Sequence, residues 1–298
     1  MKILITGSQG FVGSRLVKLF LQNGHHIVAG YNQFHCLQSY SALYELFRIN
    51  CTEKIELENA ISVFRPDFVI HCAAKTNPQV ISSNIYETNV LSSELLAEFS
   101  KIYNFKLVFI STDLIYQKSL EYSNEETTIT QPIENEYANS KYLAEEIIVN
   151  TSNNWLIIRP TLMYGISNKF SNSFNNFIEQ TILKNENVFV FSDQSRCFLF
   201  VDDLCNAIEL LLSKNITNEI FVIGGGESLT RSDFAFRYSS FFNLDTSLIK
   251  PILTSELKNY TGIKGDILLD STKLKKYGWQ PTKLIDSFKL MKTELGNS

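Results

Sequence analysis

Tyr137 and Lys141 stand four residues apart in the text YANSK, a spacing that sets a phenol and an ammonium on one side of a helix. Upstream, the apolar run LVFI leads into Ser111, Thr112 and Asp113, which places a hydroxyl and a carboxylate at the C-terminal edge of a predicted strand. A hydroxyl, a phenol and an ammonium that converge on one carbonyl can polarise it and pass a proton to or from its oxygen. A free phenol titrates near pH ~10, and lowering it by about three units takes roughly 4 kcal/mol of interaction with neighbouring charge. Lys141 is the candidate source of that charge. The bland alternative is a surface Tyr and Lys that share a helical face.

A second chemical signal is the set Gly7, Gly10 and Gly13 in KILITGSQGFVG. Residues 2–6 are apolar and β-rich, and beyond the glycines Phe11, Val12, Leu16, Val17, Phe20 and Leu21 recur at helical spacing. A tight Gly turn between strand and helix lets the backbone approach a diphosphate, and the helix N-terminus adds free N–H groups and a partial positive charge. The spacing is Gly-x-x-Gly-x-x-Gly, not the commoner Gly-x-Gly-x-x-Gly, so the glycines alone also admit a purely structural turn. Their place at the first strand-to-helix turn favours a dinucleotide. The next strand ends in Gly30-Tyr31-Asn32-Gln33 without the acid that binds a ribose 2′-hydroxyl in NAD-preferring folds. That admits NADP, although no Arg stands close by to demand it, and the expected cofactor is NADP or NAD.

These groups need a scaffold, and the pattern supplies one. Strands are predicted at 2–6, 26–31, 46–51, 68–72, 106–111, 155–159 and 219–223. Helices are predicted at 52–64, capped by Thr52, and at about 86–103 and 136–149. Residues 34–44 read as a loop running into a short helix. Strands alternating with helices of this length imply an α/β fold, a Rossmann-type doubly wound parallel sheet, with the chemistry at the C-terminal ends of its strands. Beyond Arg159 the text loosens, Asn- and Phe-rich at 167–187 and mixed after 227, with Gly262 and Gly265 in a flexible-looking stretch. The expected division is a dinucleotide-binding domain of residues 1–160 and 188–225, with a smaller, largely C-terminal substrate-binding domain of residues 161–187 and 226–298.

Composition narrows the function classes. The chain has 298 residues, 44% of them hydrophobic, enough for a sizeable core. Its net charge of −4 argues against a nucleic-acid or anionic-membrane partner, since either would need a basic face. No apolar run approaches the ~20 residues that span a bilayer, and the text opens directly on a strand, so the expected location is the cytoplasm. Cys36, Cys51, Cys72, Cys197 and Cys205 show no C-x-x-C pairing and read as reduced, mostly buried thiols. His25, His26, His35 and His71 lack ligand spacing, so no metal is expected. Asp202 and Asp203 open a predicted helix, where acids complement the dipole.

Several motifs now stand together: the Gly turn, HCAA at 71–74, Asn89 in the following helix, STD at 111–113, Tyr137-x-x-x-Lys141, RPTLMYG at 159–165 and RCFLFVDD at 196–203. The set resembles the extended short-chain dehydrogenase/reductase superfamily over essentially the whole chain. Within it, the STD segment, the Glu-rich text before Tyr137 and the Asp193-Gln194 pair before Arg196 are most similar to the dTDP-4-dehydrorhamnose reductase family. The resemblance implies that Thr112 hydrogen-bonds a substrate carbonyl, that Tyr137 transfers the proton, and that Lys141 binds the nicotinamide ribose while lowering the Tyr137 pKa. Asn89 would assist through a water. Gly7, Gln9, Gly10, Phe11, Val12 and Gly13 would hold the dinucleotide. Tyr31, Asn32, Asn50 and Cys51 would lie about its adenosine, and Cys72, Ala73, Ala74 and Pro160 beside the rest. Asn50 replaces an Asp usual at that place, and Lys75 stands where the reductases tend to have an uncharged residue. Lys75, Asp113 and Arg196 are the implied substrate contacts. Arg196 would approach the nucleotide, its guanidinium fork suiting a phosphate or base; the alternative is a surface Arg paired with Asp193 or Asp202.

The activity so implied is NAD(P)H-dependent reduction of a 4-keto sugar nucleotide, with a nucleotide sugar as partner and a homodimer compatible with it. Two rivals stay open. One is a nucleotide-sugar epimerase holding NAD tightly, and the other is a non-catalytic NADP-binding regulatory subunit, since that of methionine adenosyltransferase resembles the same family. A 4,6-dehydratase is not expected, because its chemistry uses an Asp-Glu pair after the Thr and here Asp113 is followed by Leu114.

Overall fold

A computed structural model describes residues 1–32, 42–76, 85–117, 121–168, 171–257, 260 and 262–296. The chain divides into two units, one of residues 1–115, 136–159 and 208–221, the other of 116–135, 160–207 and 222–298. The first holds β1 (Lys2–Thr6), α1 (Phe11–Gln22), β2 (His26–Tyr31), β3 (Tyr44–Arg48), α2 (Lys54–Phe64), β4 (Phe68–His71), α3 (Ser92–Tyr103), β5 (Lys106–Ile110) and α4 (Glu136–Thr151). With β6 (Trp155–Pro160) and β7 (Glu219–Ile223) these strands form a seven-stranded parallel sheet in the order β7-β6-β5-β4-β1-β2-β3. It is the expected Rossmann-type α/β sheet.

The sheet starts at its middle. Strand β1 pairs with β2 on one side and with β4 on the other, in a register that sets Thr6 level with both Gly30 and His71. The winding direction reverses between β1 and β4, and in such sheets the crevice beyond the strand ends at this reversal is where ligands bind. Strands β5 and β6 are buried along their whole length, KLVFI and WLIIRP, as a sheet covered on both faces requires. Each fully buried Leu, Ile or Phe there contributes about 1.5–3 kcal/mol.

The edge strand explains one difference from the sequence reading. β3 is Tyr44–Arg48, not 46–51, and its side chains are half-exposed or exposed, so it lacks the apolar run of a central strand. Residues 34–41 of the expected loop and short helix lie outside the described residues. After Ile49 the chain turns, because Asn50 Oδ1 accepts from both Thr52 N and Thr52 Oγ1. Thr52 therefore does not cap α2; the cap is Glu53, without a side-chain hydrogen bond. The helix ends on Arg65 in the left-handed region, just before Pro66, which bars continuation.

The second unit buries an aromatic core in which Tyr164, Phe198, Phe200, Phe234, Tyr238 and Phe288 meet, Phe198 stacking on Phe234 at 4.2 Å. Its helices are α5 (Phe174–Leu183), α7 (Arg231–Phe241), α8 (Thr272–Lys275) and α9 (Leu284–Gly296), while α6 (Val201–Ser213) continues from this unit into the first. The Asn-rich text conceals α5, whose cap is Ser173 accepting from Asn176 N and whose Ile178 and Ile182 are buried. The division also differs from the expected one. Residues 188–207 fall in the second unit, because strand 188–191 pairs with 249–252 and packs Val188 and Val190 into the aromatic core. Residues 116–135 join it as well, with Tyr122 and Ser123 paired to Leu268 and Leu269. Among the described residues no helix is long and apolar enough to cross a membrane.

Arg159 and Glu145 form an ion pair inside the first unit, Nε to Oε1 3.0 Å and Nη2 to Oε2 2.6 Å, each side chain only 4% exposed. Removing one partner leaves the other charged and dry. Arg159→Met is therefore expected to lower the unfolding free energy by about 3–5 kcal/mol in urea titrations, and Arg159→Met with Glu145→Leu to recover most of the loss.

Candidate active site

The Gly turn leaves β1 at Thr6. Gly7 has φ +64°, and a Cβ on it would lie 2.6 Å from Ala73 N, so the turn rests directly on the peptide chain that leaves β4. A Cβ on Gly13 would lie 2.2 Å from Gly7 O, which presses the first turn of α1 against the loop. Gly10 differs. It is exposed, a Cβ there would meet only Gly7 O at 3.2 Å, and it caps α1 with no side-chain hydrogen bond and no acid in the first turn. Its N–H closes the turn onto Gly7 O at 2.9 Å. Ser8, which the sequence reading passed over, anchors the loop to β2 through N and Oγ, both donating to Gly30 O.

The other expected cofactor residues lie on this turn and at the ends of other strands. Gln9, Phe11 and Val12 are half-buried; at the end of β2, Tyr31 is half-buried and Asn32 exposed. Asn50 spends its side-chain oxygen on Thr52, and its own N–H donates to Glu56 Oε2 at 2.9 Å. Cys51 is buried, which pushes its thiol up to about 12. Cys72, Ala73 and Ala74 continue from β4 half-buried, and Pro160 ends β6 buried.

Tyr137 is the second residue of α4, and Lys141 lies one turn further on. Lys141 is 1% exposed and holds its ammonium 3.9 Å over the Phe109 ring. Burial draws it down to about 7, partly opposed by the Cys72 thiol and the Glu145 carboxylate. The Tyr137 phenol moves the other way. Burial, and then the Asp113 carboxylate, push it above its ordinary value, opposite to the lowering expected from Lys141. Thr112 and Asp113 are buried after β5; Thr112 Oγ1 accepts from Leu114 N at 3.2 Å and faces Asp113 Oδ1 at 3.4 Å. Ser111 Oγ, beside them, is buried with no hydrogen-bond partner.

Asn89 is fully buried in a π-helical turn, Glu87–Leu91, a form that recurs at functional sites. Its amide is a clamp. Oδ1 accepts from Lys75 N at 2.8 Å, while Nδ2 donates to Lys75 O at 3.0 Å and to Ser140 Oγ at 2.9 Å. Both side-chain N–H donors are thus committed to protein. Lys75 keeps its side chain exposed.

A family model described as the NAD dependent epimerase/dehydratase family matches residues 3–224. The chain belongs to that family. It is of the NAD(P)-dependent short-chain dehydrogenase/reductase type, as its motifs imply. Among curated proteins it is 26% identical to methionine adenosyltransferase 2 subunit beta of Xenopus laevis, over 93% of this chain and 82% of that one. It is also 26% identical to dTDP-glucose 4,6-dehydratase of Salmonella typhimurium, over 96% and 90%. Among solved structures, dTDP-4-dehydrorhamnose reductase of Bacillus anthracis in complex with NADP superposes with a TM-score of 0.82 at 22% identity, covering 99% of this chain and 100% of that one.

The residues present fit the NAD(P) of this epimerase/dehydratase family. The bare flank of Gly10 and the uncapped start of α1 offer space and N–H donors to a diphosphate. Arg196, in the second unit, is 1% exposed and is not the surface residue of the alternative reading. Its Nη1 donates to Ser195 O and Gly265 O, and its Nη2 is buried with no hydrogen-bond partner. Asp193 accepts instead from Thr254 N and Oγ1. Asp203 opens α6 and accepts from Thr282 N and Oγ1, a structural tie. Among the described residues no cluster of His, Cys, Asp or Glu could hold a metal.

Lys141 makes stability depend on pH. Between about 7 and the ordinary 10.5 the unfolded chain carries a proton there that the folded chain has released, so stability rises with pH, by about 1.4 kcal/mol per unit at most. Below that window both states are protonated and the contribution is constant. Urea titrations across it should show the wild type gaining on Lys141→Met at that slope, whereas a flat difference would return Lys141 to an ordinary lysine pKa.

Proposed function

We propose that this chain is an NAD(P)H-dependent reductase of a 4-keto sugar nucleotide. The observation that supports the reading is the aliphatic Leu114 directly after buried Thr112 and Asp113 at the end of β5, with Tyr137 and Lys141 one turn apart at the start of α4. A protonated Tyr137 suits a carbonyl that must receive a proton as it is reduced. Thr112 Oγ1 orients the carbonyl, and Lys141 holds the nicotinamide ribose. When bound, the dinucleotide supplies the hydride. The Gly7–Gly13 turn holds its diphosphate, and the acid-free text at Tyr31 and Asn32 leaves room for a 2′-phosphate. The unpartnered Nη2 of Arg196 suits the nucleotide portion of the substrate.

An epimerase must begin by oxidising an alcohol, which calls for a phenolate at Tyr137, and a dehydratase needs an acid and a base that act separately. A regulatory subunit is the non-catalytic rival, favoured by the 26% identity to methionine adenosyltransferase 2 subunit beta. A protein that turns over no keto sugar but changes the kinetics of a partner enzyme would decide for it.

The test is to mix the protein with dTDP-4-keto-6-deoxyglucose and NADPH or NADH, follow nicotinamide absorbance and identify the product. Tyr137→Phe should lower kcat by about 10²–10⁴-fold and leave NADPH affinity unchanged; near-normal turnover would remove Tyr137 from the chemistry. With dTDP-glucose and NAD, no 4-keto-6-deoxy sugar should form. Its appearance at enzymatic rates, monitored by NMR, would point to a second carboxylate beyond Leu114.

A further inference from the structure

His71 is fully buried at the end of β4, and no step of the proposed reaction uses it. Both ring nitrogens are engaged: Nδ1 lies 2.7 Å from Thr6 Oγ1, and Nε2 lies 3.0 Å from Ser92 Oγ. The direction of these bonds follows from their neighbours. Ser92 Oγ donates its single proton to Thr88 O, so it accepts from Nε2–H of His71. Nδ1 is then bare and accepts from the Thr6 hydroxyl, whose oxygen in turn faces Ala73 N at 3.4 Å. Burial, and then the Lys141 charge, draw the imidazole down to about 3, which keeps it neutral and this pattern intact.

The chain of bonds ends at functional residues on both sides. Thr6 immediately precedes Gly7, and Ala73 is the residue against which Gly7 rests. Thr88 lies in the π-helical turn with Asn89, whose amide grips the Lys75 backbone and Ser140. Ser140 Oγ then donates to Tyr137 O at 2.8 Å. The imidazole also stacks on Phe109, the ring that carries the Lys141 ammonium. Satisfying buried polar groups would need no such connectivity. A core histidine can bond to any nearby carbonyl, whereas this one joins the loop after β1 to the turn that steadies the start of α4.

We propose that His71 is a positioning residue: through Thr6 and Ser92 it couples the dinucleotide turn at Gly7 to the Asn89 turn, and so to Tyr137 and Lys141. The inference rests on the dinucleotide reading of that turn, and its binding arm needs no sugar nucleotide. Absence of keto-sugar turnover would therefore overturn the reductase reading and leave the binding comparison to decide this one.

The experiment uses the full chain and the variants Ser92→Ala, His71→Asn and their combination, with Ser100→Ala as control. Asn retains an acceptor near the place of Nδ1 and drops the Ser92 bond. Ser100 lies on the same helix as Ser92, and its hydroxyl meets Ser152 Oγ at 2.6 Å in the core. NADPH affinity is read by fluorescence titration, Tm by calorimetry, and kcat and KM with the keto sugar. Ser92→Ala and His71→Asn should each weaken NADPH binding by at least about fivefold, the low end of coupling between linked sites. The combination should be no worse than either single change, since both cut one connection. Where turnover is measured, kcat should fall with the sugar KM little changed. Ser100→Ala should lose Tm comparably yet bind NADPH as the wild type does. NADPH affinity in Ser92→Ala and His71→Asn within twofold of wild type, additive losses, or an equal loss in Ser100→Ala would each overturn the proposal.

Discussion

The contact between Gly7 and the Ala73 peptide is the constraint on which the first unit depends. Two backbone segments, one leaving β1 and one leaving β4, approach so closely that a single Cβ would overlap Ala73 N. That approach is possible only because the two strands are adjacent and level, with Thr6 opposite His71, at the point where the sheet reverses its winding. It leaves the first turn of α1 without a side-chain cap or an acidic residue. Sheet topology, glycine placement and the open helix end are three consequences of one packing requirement. The dinucleotide chemistry of the family follows from the last of them.

Buried cations are the second theme, and the molecule resolves them differently. Arg159 has a carboxylate in fork geometry, so its charge is compensated and its role is to hold α4 on β6. Lys106 lacks such a carboxylate in its hydrogen bonding but donates to Asn215 Oδ1 and Ile216 O just beyond the end of α6, where carbonyls and the helix dipole favour a positive charge. Lys141 faces a ring, and its pKa falls to about 7. Arg196 keeps one nitrogen unpartnered while fully enclosed. A charge left with weak compensation is costly, and such groups concentrate where a ligand completes them. By that measure Arg159 and Lys106 are compensated within the fold, whereas Lys141 in the first unit and Arg196 in the second are each left with weaker compensation.

The family relationship and the geometry constrain different things. Membership gives the cofactor class and the sheet, and the likeness to the reductase of Bacillus anthracis at 22% identity gives the fold alone. What separates reduction from elimination or a regulatory role is local: which carboxylates follow Thr112, and which protonation state the surroundings impose on Tyr137. Asp113 is buried beside Thr112 and raises the phenol, and Leu114 adds no second acid.

By itself the sequence determined the parts whose signal is local. The strand, Gly turn and helix at 2–22, the buried runs of β5 and β6, and the Tyr137-Lys141 spacing on α4 each depend on neighbours within a few residues, and periodicity reports such neighbours. It shifted the bounds of β3, because an edge strand buries too little to show an apolar pattern, and it missed α5, because Asn and Ser favour loops until Ile178 and Ile182 find an aromatic core. The cap of α2 was misread for a similar reason: Thr52 is a good cap by type, but Asn50 competes for its hydroxyl. Only the tertiary structure decided the chemistry of the side chains. The amide of Asn89 clamps the Lys75 backbone, and Arg196 is enclosed where one reading of the sequence had it at the surface. His71 reads as part of a motif and proves to join Thr6 to Ser92 across β1, β4 and α3. Each outcome depends on desolvation and on partners tens of residues away in the chain, and the one-dimensional pattern carries neither.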